Sequence, residues 1–524
     1  MHWADKIVQD IVASNKFKPY WVDDMKTPSG YSHVGSLMGP VIHSIIYRAL
    51  KDQNVDANFT FVINDFDAAD DLLPELKGKY EQYLGMPLKL FPSPDPNFKN
   101  LADMFADDFI NSIRSLGVEA KILSSWDMYH QGKFDDVIKL GLDNAEKIQD
   151  IYKRVSGSDK KSVNQLPFQV ICENCGKLGT TRVYAWDGKE VSYKCEPNMV
   201  TWAQGCGHEG KISPFGGNGK FPWKVDWPAH WKVIGVTIEG AGKDHASAGG
   251  SYDIAMEICK EVFQYDKPYR MPYEFILIGG KKMSSSKGLG LKAHDLVKIL
   301  PPELGRFLFA SSDIKSQSNF DPMETMAIPD LFDKYDECWT AHDKNGDEKL
   351  ARTYVLSQIN SVPEKEKGLF IPRFRDVANY LSQGLLPEEL TEKMAQIKNG
   401  KIDDSEMKVL EERVKYAKIW LEKYAPQDFR FEMTNEIPGQ IESLTSQQKE
   451  YLSNIKKLFD QETNAEKLQV DLYLLAKELN IPTKDAFAAI YLSFIGKTHG
   501  PKAGMLLSNL GKEKVTKRID EITL

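Results

Sequence analysis

Between residues 37 and 49 the apolar side chains fall four apart. Leu37, Val41, Ile45 and Ala49 are flanked by Ile42 and Ile46, which draws one broad apolar stripe along a helix. The segments on either side, "KPYWVDD" and "NFTFVIND", are short runs rich in aromatic and β-branched residues. Such runs suit strands covered on both faces. A third strand, "VEAKILSS", follows a helix spanning about 100 to 116, and a long polar helix is expected near 134 to 153. Strand alternating with helix predicts an α/β fold with a parallel sheet and right-handed crossovers. The pattern lapses between 155 and 230, where cysteines, glycines, prolines and tryptophans show little periodicity. It resumes with the strand "KVIGVTIEG", a helix near 249 to 263 and the strand "EFILI". Beyond about residue 300 strand signals nearly vanish, and segments such as "SEMKVLEERVKYAKIWLEKYA" and "EKLQVDLYLLAKELN" read as successive amphipathic helices. The expected organisation is a sheet domain over 1–154 and 231–310, interrupted by an insertion over 155–230 and followed by a helical region over 311–524.

Length and charge narrow this picture. A chain of 524 residues suggests roughly three domains. Sixty-seven Lys and Arg against 75 Asp and Glu leave a net charge of −8, which disfavours nonspecific coating of nucleic acid but allows a local basic face. No run approaches the ~20 apolar residues of a membrane span, and "MHWADKIVQDIVASNKF" has no signal-peptide core, so a cytoplasmic protein without a membrane partner is expected.

Three stretches carry candidate chemistry. In "PSGYSHVGS" (28–36) Gly30 and Gly35 permit a tight turn before the first helix, whose N-terminus suits a phosphate that His33 could also reach; an ordinary turn with a capping histidine is the alternative. In "GGKKMSSSKG", Lys282 and Lys287 could neutralise a triphosphate and Ser284 and Ser286 could donate hydroxyls, although a lysine–serine loop is often only solvated. Four of the six cysteines lie between 172 and 206 as Cys172-Glu-Asn-Cys175-Gly, Cys195 and Cys206-Gly-His208. This is the ligand chemistry of a structural zinc site, with His208 competing with Cys195 or Cys206 for a place. A redox pair or small buried side chains would be the alternatives.

The first two stretches together resemble the His-Ile-Gly-His and Lys-Met-Ser-Lys-Ser motifs of class I aminoacyl-tRNA synthetases. Here they read His33-Val34-Gly35-Ser36 and Lys282-Met283-Ser284-Ser285-Ser286, so Ser36 and Ser285 depart from the motifs and Lys287 follows two residues after Ser285. "TPSGYSHVGS", "NDFDAADDL", "GCGHEG", "EGAGKDHASAGGS" and "IYLSFIGKTHGPK" extend the resemblance, within that class, to the lysyl-tRNA synthetases. The resemblance implies a Rossmann-like catalytic domain carrying a zinc knuckle, then a helical anticodon-binding region with cations such as Lys497, His499 and Lys502. It implies ATP with Mg²⁺, L-lysine and lysine tRNA as substrates. ATP is expected at His33, Gly35, Ser36, Gly242, Asp244 and Lys282, and catalysis at His33, Lys282, Ser284, Ser286 and Lys287. The amino acid is expected at Thr27, Asp65, Trp231 and His245. A synthetase for glutamate or arginine, or a non-catalytic tRNA-binding relative, are the rival expectations.

Overall fold

The computed structural model describes residues 1–157, 165–280, 291–360, 362, 368–382, 385, 387–426, 429, 434, 436–459 and 465–523. They form two compact units, Met1–Asp321 with Glu337–Lys365, and Pro322–Asp336 with Glu366–Leu524.

In the first unit, β1 (Tyr20–Lys26), β2 (Ala57–Ile63) and β3 (Lys121–Ser124) come from the first half of the sheet. The cysteine-bearing segment then contributes β4 (Gln169–Val170), β5 (Thr181–Trp186), β6 (Val191–Cys195), β7 (Glu209–Ile212) and β8 (Gly219–Lys220). The chain returns with β9 (Ile238–Gly242) and β10 (Tyr269–Tyr273), and ends the unit's strands with the short pair β11 (Ile276–Leu277) and β12 (Ser318–Asn319). The main sheet has the order β10-β9-β1-β2-β3 with every neighbouring pair parallel. From β1 the chain builds outward through β2 and β3, then crosses to the other side for β9 and β10. The strand order therefore reverses between β1 and β9. In such a sheet a crevice opens at that point, beyond the carboxyl ends of the strands.

The apolar stripe read from sequence is fully used. Leu37, Val41, Ile42, Ile45, Ile46 and Ala49 are all buried, because the helix Met38–Asp52 lies against β1, β2 and β9 on one side and against the helices Trp3–Ser14 and Pro302–Ala310 on another. Three expectations are corrected. "EFILI" is not the last strand of the main sheet; that place belongs to β10, whose Pro272 is tolerated at an edge, while Ile276 and Leu277 pair with β12. The start of "KVIGVTIEG" belongs to the helix Trp223–Ile234, which stops at Gly235 with φ 93° and an N–H donated to the Trp231 carbonyl. The polar helix near 134 to 153 is two helices, Asp135–Asp143 and Ala145–Ser156, meeting at Asn144.

The cysteine-bearing segment is more ordered than its weak periodicity suggests. β4 pairs with β8, β5-β6-β7 form an antiparallel sheet, and Phe168, Val170, Val183, Val191, Tyr193 and Phe221 join one hydrophobic core with Val62 and Phe66 of the sheet domain. The second unit is helical. Its helices include Asp404–Lys423, started by an Asp403/Glu406 capping box, and Ser446–Leu458, started by a Thr445/Gln448 box. Further helices, Ala465–Glu478, Thr483–Ile495 and Lys512–Thr523, close a core around Leu452, Leu472, Ile490 and Ile519.

Candidate active site

A cavity of about 390 Å³ occupies the crevice at the carboxyl ends of β1, β2, β9 and β10. β1 supplies Asp24, Met25, Lys26 and then Thr27. Asn64 and Asp67 follow β2. β9 supplies Glu239 to Gly242, and β10 supplies Tyr273. Gly35, Ser36 and Gly39 border it from the turn and helix after β1. The parallel register sets Asp24 opposite Phe61 and Tyr273 opposite Gly242.

Its floor is acidic. Adjacent residues of a strand face opposite sides of the sheet. Asp23 takes the Thr60 hydroxyl, while Asp24 lines the cavity. Glu239 is 1% exposed and accepts the indole N–H groups of Trp227 (2.7 Å) and Trp231 (2.5 Å), one on each oxygen. Burial pushes the Asp24 carboxyl up, with His43, the Met25 N–H and Lys26 pulling it back. Burial lifts Glu239 well above the usual carboxylate range, and Asp23 and Asp24 add to the rise. Burial likewise lowers the Lys26 ammonium, which Asp24 opposes. A cation bound at such a floor would offset the cost of burying its carboxylates.

His43 fixes the geometry behind this floor. The Gly240 N–H donates to its Nε2 (2.7 Å), so Nε2 has to be the unprotonated nitrogen, and Nδ1–H donates to the Gly39 carbonyl (2.7 Å). The imidazole thereby ties the helix Met38–Asp52 to β9. Gly39 needs its missing side chain: a Cβ there would stand 2.5 Å from Asp24 Oδ2 and 3.1 Å from the Tyr273 hydroxyl.

The walls are aromatic. In the helix Trp223–Ile234 three tryptophans recur every four residues, with Trp223 stacked on Trp227 (centroids 4.7 Å, 17°) and Trp227 near Trp231 (5.4 Å). Trp223 and Trp227 line the cavity, and His245 meets Trp223 edge-on at 5.1 Å.

The structure brings Thr27, Gly35, Ser36, Gly242 and His245 to this cavity. Four expected residues do not line it. Trp231 is wholly buried and serves to orient Glu239 rather than to form a wall. Asp65 accepts from the Ser124 hydroxyl (2.6 Å) and the Trp126 N–H (2.8 Å) and pairs with Lys89 (3.4 Å), so its oxygens are committed to the β2–β3 side of the sheet. His33 stands at the start of the turn Val34–Leu37, and Asp244 is exposed on the short helix Lys243–Ala246; neither lines the cavity. Lys282, Ser284, Ser286 and Lys287 lie outside the described residues. The chain that follows them is held to the His33 turn: Val34 N–H donates to Leu291 O (2.9 Å), Ala293 N–H donates to Ser32 O (2.8 Å), and His33 bridges to Lys292.

The sequence reading passed over Asp24, Glu239, Trp223, Trp227 and Tyr273. A carboxylate inside an otherwise apolar run, as in "WVDD" and "TIEG", and the four-residue tryptophan spacing were the available signals.

Away from this cavity, Cys172, Cys175, Cys195 and Cys206 place their sulfurs within 4.8 Å of one another, with Cys172–Cys206 at 3.6 Å and Cys175–Cys195 at 3.7 Å. Four thiolates about 2.3 Å from a shared metal stand roughly 3.8 Å apart, so the set fits a tetrahedral ion. His208 is not one of the converging groups; its carbonyl accepts from Cys195 N–H. Slight burial pushes the Cys206 thiol up, but Asn174, the His208 N–H, Cys172 and Cys175 outweigh it and bring the thiol to about 6, while burial pushes the Cys172 and Cys175 thiols up.

Residues 1–360 match the family model of the class I (K) tRNA synthetases, and residues 374–523 match that of an anticodon-binding domain. The chain belongs to the class I (K) tRNA synthetases. Lysine–tRNA ligases of Archaeoglobus fulgidus and Methanocaldococcus jannaschii are 32% and 35% identical to this synthetase, each alignment covering 99% of both chains. That of Picrophilus torridus is 31% identical over 100% of this chain and 99% of its own. The first compact unit holds the cavity and the four-cysteine cluster, and the second holds most of the anticodon-domain match. Among the described residues no helix is long and apolar enough to cross a membrane.

Proposed function

We propose that this synthetase is a lysine–tRNA ligase. It activates L-lysine with ATP to lysyl-adenylate and passes the lysyl group to the terminal adenosine of lysine tRNA. The observation that carries the reading is the cavity's combination of buried carboxylates, Asp24 and Glu239, with the walls of Trp223, Trp227 and Tyr273. An ammonium on an aliphatic stem needs acceptors at its tip and apolar surface along its length. The acidic floor opposes a glutamate side chain, which would bring a third carboxylate into the same low-dielectric space.

In the first step a lysine carboxylate oxygen attacks the α-phosphorus of ATP. The new P–O bond forms as the bond to the β-phosphate bridging oxygen breaks, and pyrophosphate leaves with its electron pair. Gly35 and Ser36 border the cavity where backbone can approach the nucleotide, and His33 with Lys282, Ser284, Ser286 and Lys287 is assigned to the phosphates, with Mg²⁺ sharing their charge. In the second step a hydroxyl of the terminal adenosine attacks the acyl carbon and AMP leaves. The four cysteines are assigned a structural zinc; a full thiolate shell leaves no open position for catalysis. The helical unit is assigned the anticodon.

Pyrophosphate exchange with lysine tRNA present tests the reading across lysine, ornithine, arginine, glutamate and norleucine. Lysine is expected to exceed norleucine by roughly 10⁴-fold in kcat/KM, because the neutral isostere leaves buried acceptors unpaired. Preference for arginine or glutamate would overturn the lysyl reading. A second test uses Gly39→Ala. Alanine suits the helix, but its methyl displaces the Asp24 carboxylate, so lysine activation is expected to fall roughly 10²-fold, with Tm lowered by an overpacking cost of about 1–3 kcal/mol. Full activity in this variant would remove Asp24 from the substrate site.

A further inference from the structure

Beneath the cavity lies a buried chain of charges that starts in the cysteine-bearing segment. Lys220, on β8, is 2% exposed. Its ammonium lies 2.5 Å from Asp67 Oδ1 and 2.8 Å from Asp226 Oδ2. Asp226 uses its other oxygen for the Tyr129 hydroxyl (2.5 Å), and Asp67 uses its other oxygen for the Thr27 hydroxyl (2.5 Å). Burial opposes the charge on Lys220, but Asp226 and Asp67 outweigh it and raise its pKa. Asp67 and Thr27 both line the cavity; Lys220 does not.

This arrangement dictates a hydrogen-bond polarity. An ionised carboxylate only accepts, so the Thr27 hydroxyl hydrogen points at Asp67 and its lone pairs are left for the cavity. A ligand atom beside Thr27 is then met by an acceptor, which selects a donor such as an ammonium N–H over a carboxylate oxygen. Lys220 pairs with Asp67 Oδ1 and so holds the carboxylate in place. Its own position is set by the backbone of β8, whose Gly219 packs so closely on β4 that a Cβ would stand 2.2 Å from Gln169 O. Ile171 N–H donates to Asn218 O on the same pair of segments, one residue before Cys172.

We propose that Lys220 is a positioning residue for the amino-acid pocket, through which the cysteine-bearing segment sets Thr27 as an acceptor toward the substrate ammonium. This rests on the lysine-activating reading. The segment is thus part of the specificity apparatus as well as a stabilising module.

The test is pyrophosphate exchange by the full-length enzyme with tRNA, using Lys220→Met, Thr27→Val and the double variant. Lys220→Met is expected to raise KM for L-lysine about tenfold while KM for ATP stays within about twofold; the double variant is expected to lose little more than Thr27→Val alone, since groups acting through one hydrogen-bond chain are non-additive. A merely structural role would raise both KM values or lower kcat alone, and multiplying penalties would also overturn the proposal. If Lys220→Met does not fold, Asp67→Asn is carried through the same cycle, because it removes the acceptor-only carboxylate and leaves Lys220 with Asp226; additive losses there are equally fatal. Should the wild type activate another amino acid, the lysine reading falls by itself, and the cycle run on that amino acid still decides the role of Lys220.

Discussion

Asp24→Asn is expected to lower kcat/KM for lysine activation by on the order of 10² to 10³-fold at pH 8 while raising the Tm of the empty enzyme. Removing one partner of a buried charge pair costs about 2–5 kcal/mol of binding. The opposite sign in stability follows from the raised pKa. A carboxyl whose folded pKa lies above its unfolded value contributes stability that is complete below the unfolded value and lost as pH rises through the folded one. Above the raised value the ionised side chain is therefore a burden on the ligand-free fold, and the neutral amide relieves it. Ligand binding runs the other way. Lysine displaces the proton, so its affinity in the wild type weakens as pH falls through the raised value, by at most about tenfold per pH unit from this one group. The variant should flatten that profile. Calorimetry with L-lysine from pH 5 to 8 checks both claims, and equal affinity in the two proteins would show that Asp24 does not face the ammonium.

Cys175→Ser is the second large effect expected. Metal content should fall from one zinc per chain to none, and hydrogen exchange should accelerate across residues 169–222. Structural zinc contributes about 10–16 kcal/mol in small metal domains, so losing one ligand exceeds what the packing of short strands replaces. Since Phe168, Val170, Tyr193 and Phe221 share a core with Val62 and Phe66, the loss should spread into the sheet domain and lower its Tm as well. His208→Ala should keep its zinc, because the sulfurs converge without that imidazole. Metal-free enzyme with wild-type exchange protection would contradict the assignment.

The helix stripe from Leu37 to Ala49, the parallel strands β1 to β3 and the helices of the second unit were legible because local period and burial agree there. β10 was not, since Pro272 argues against a strand unless its edge position is known, and only the assembled sheet reveals an edge. The same limit applied to the site. Thr27, Gly35, Ser36, Gly242 and His245 stand in or beside recognisable motifs. Asp24 and Glu239 stand in apolar runs whose periodicity is about packing, and what makes them notable is the burial of their carboxylates across from one another's strands. Trp231 was expected from its place just before the strand that leads to Gly242; its indole serves Glu239, and Trp227, one helical turn earlier, lines the cavity.

The His43 bridge has a mechanical consequence. With one ring nitrogen receiving from Gly240 and the other donating to Gly39, the imidazole acts as a rivet between the helix that follows the glycine turn and the strand that carries Glu239. Gly39 belongs to the same helix as His43, so the Nδ1 bond fixes the ring on its helix, and sliding the helix past the strand breaks the buried bond from Gly240 N–H to Nε2. The crevice behind the substrate is therefore a braced anvil, and whatever travels during turnover has to be on the open side of the sheet.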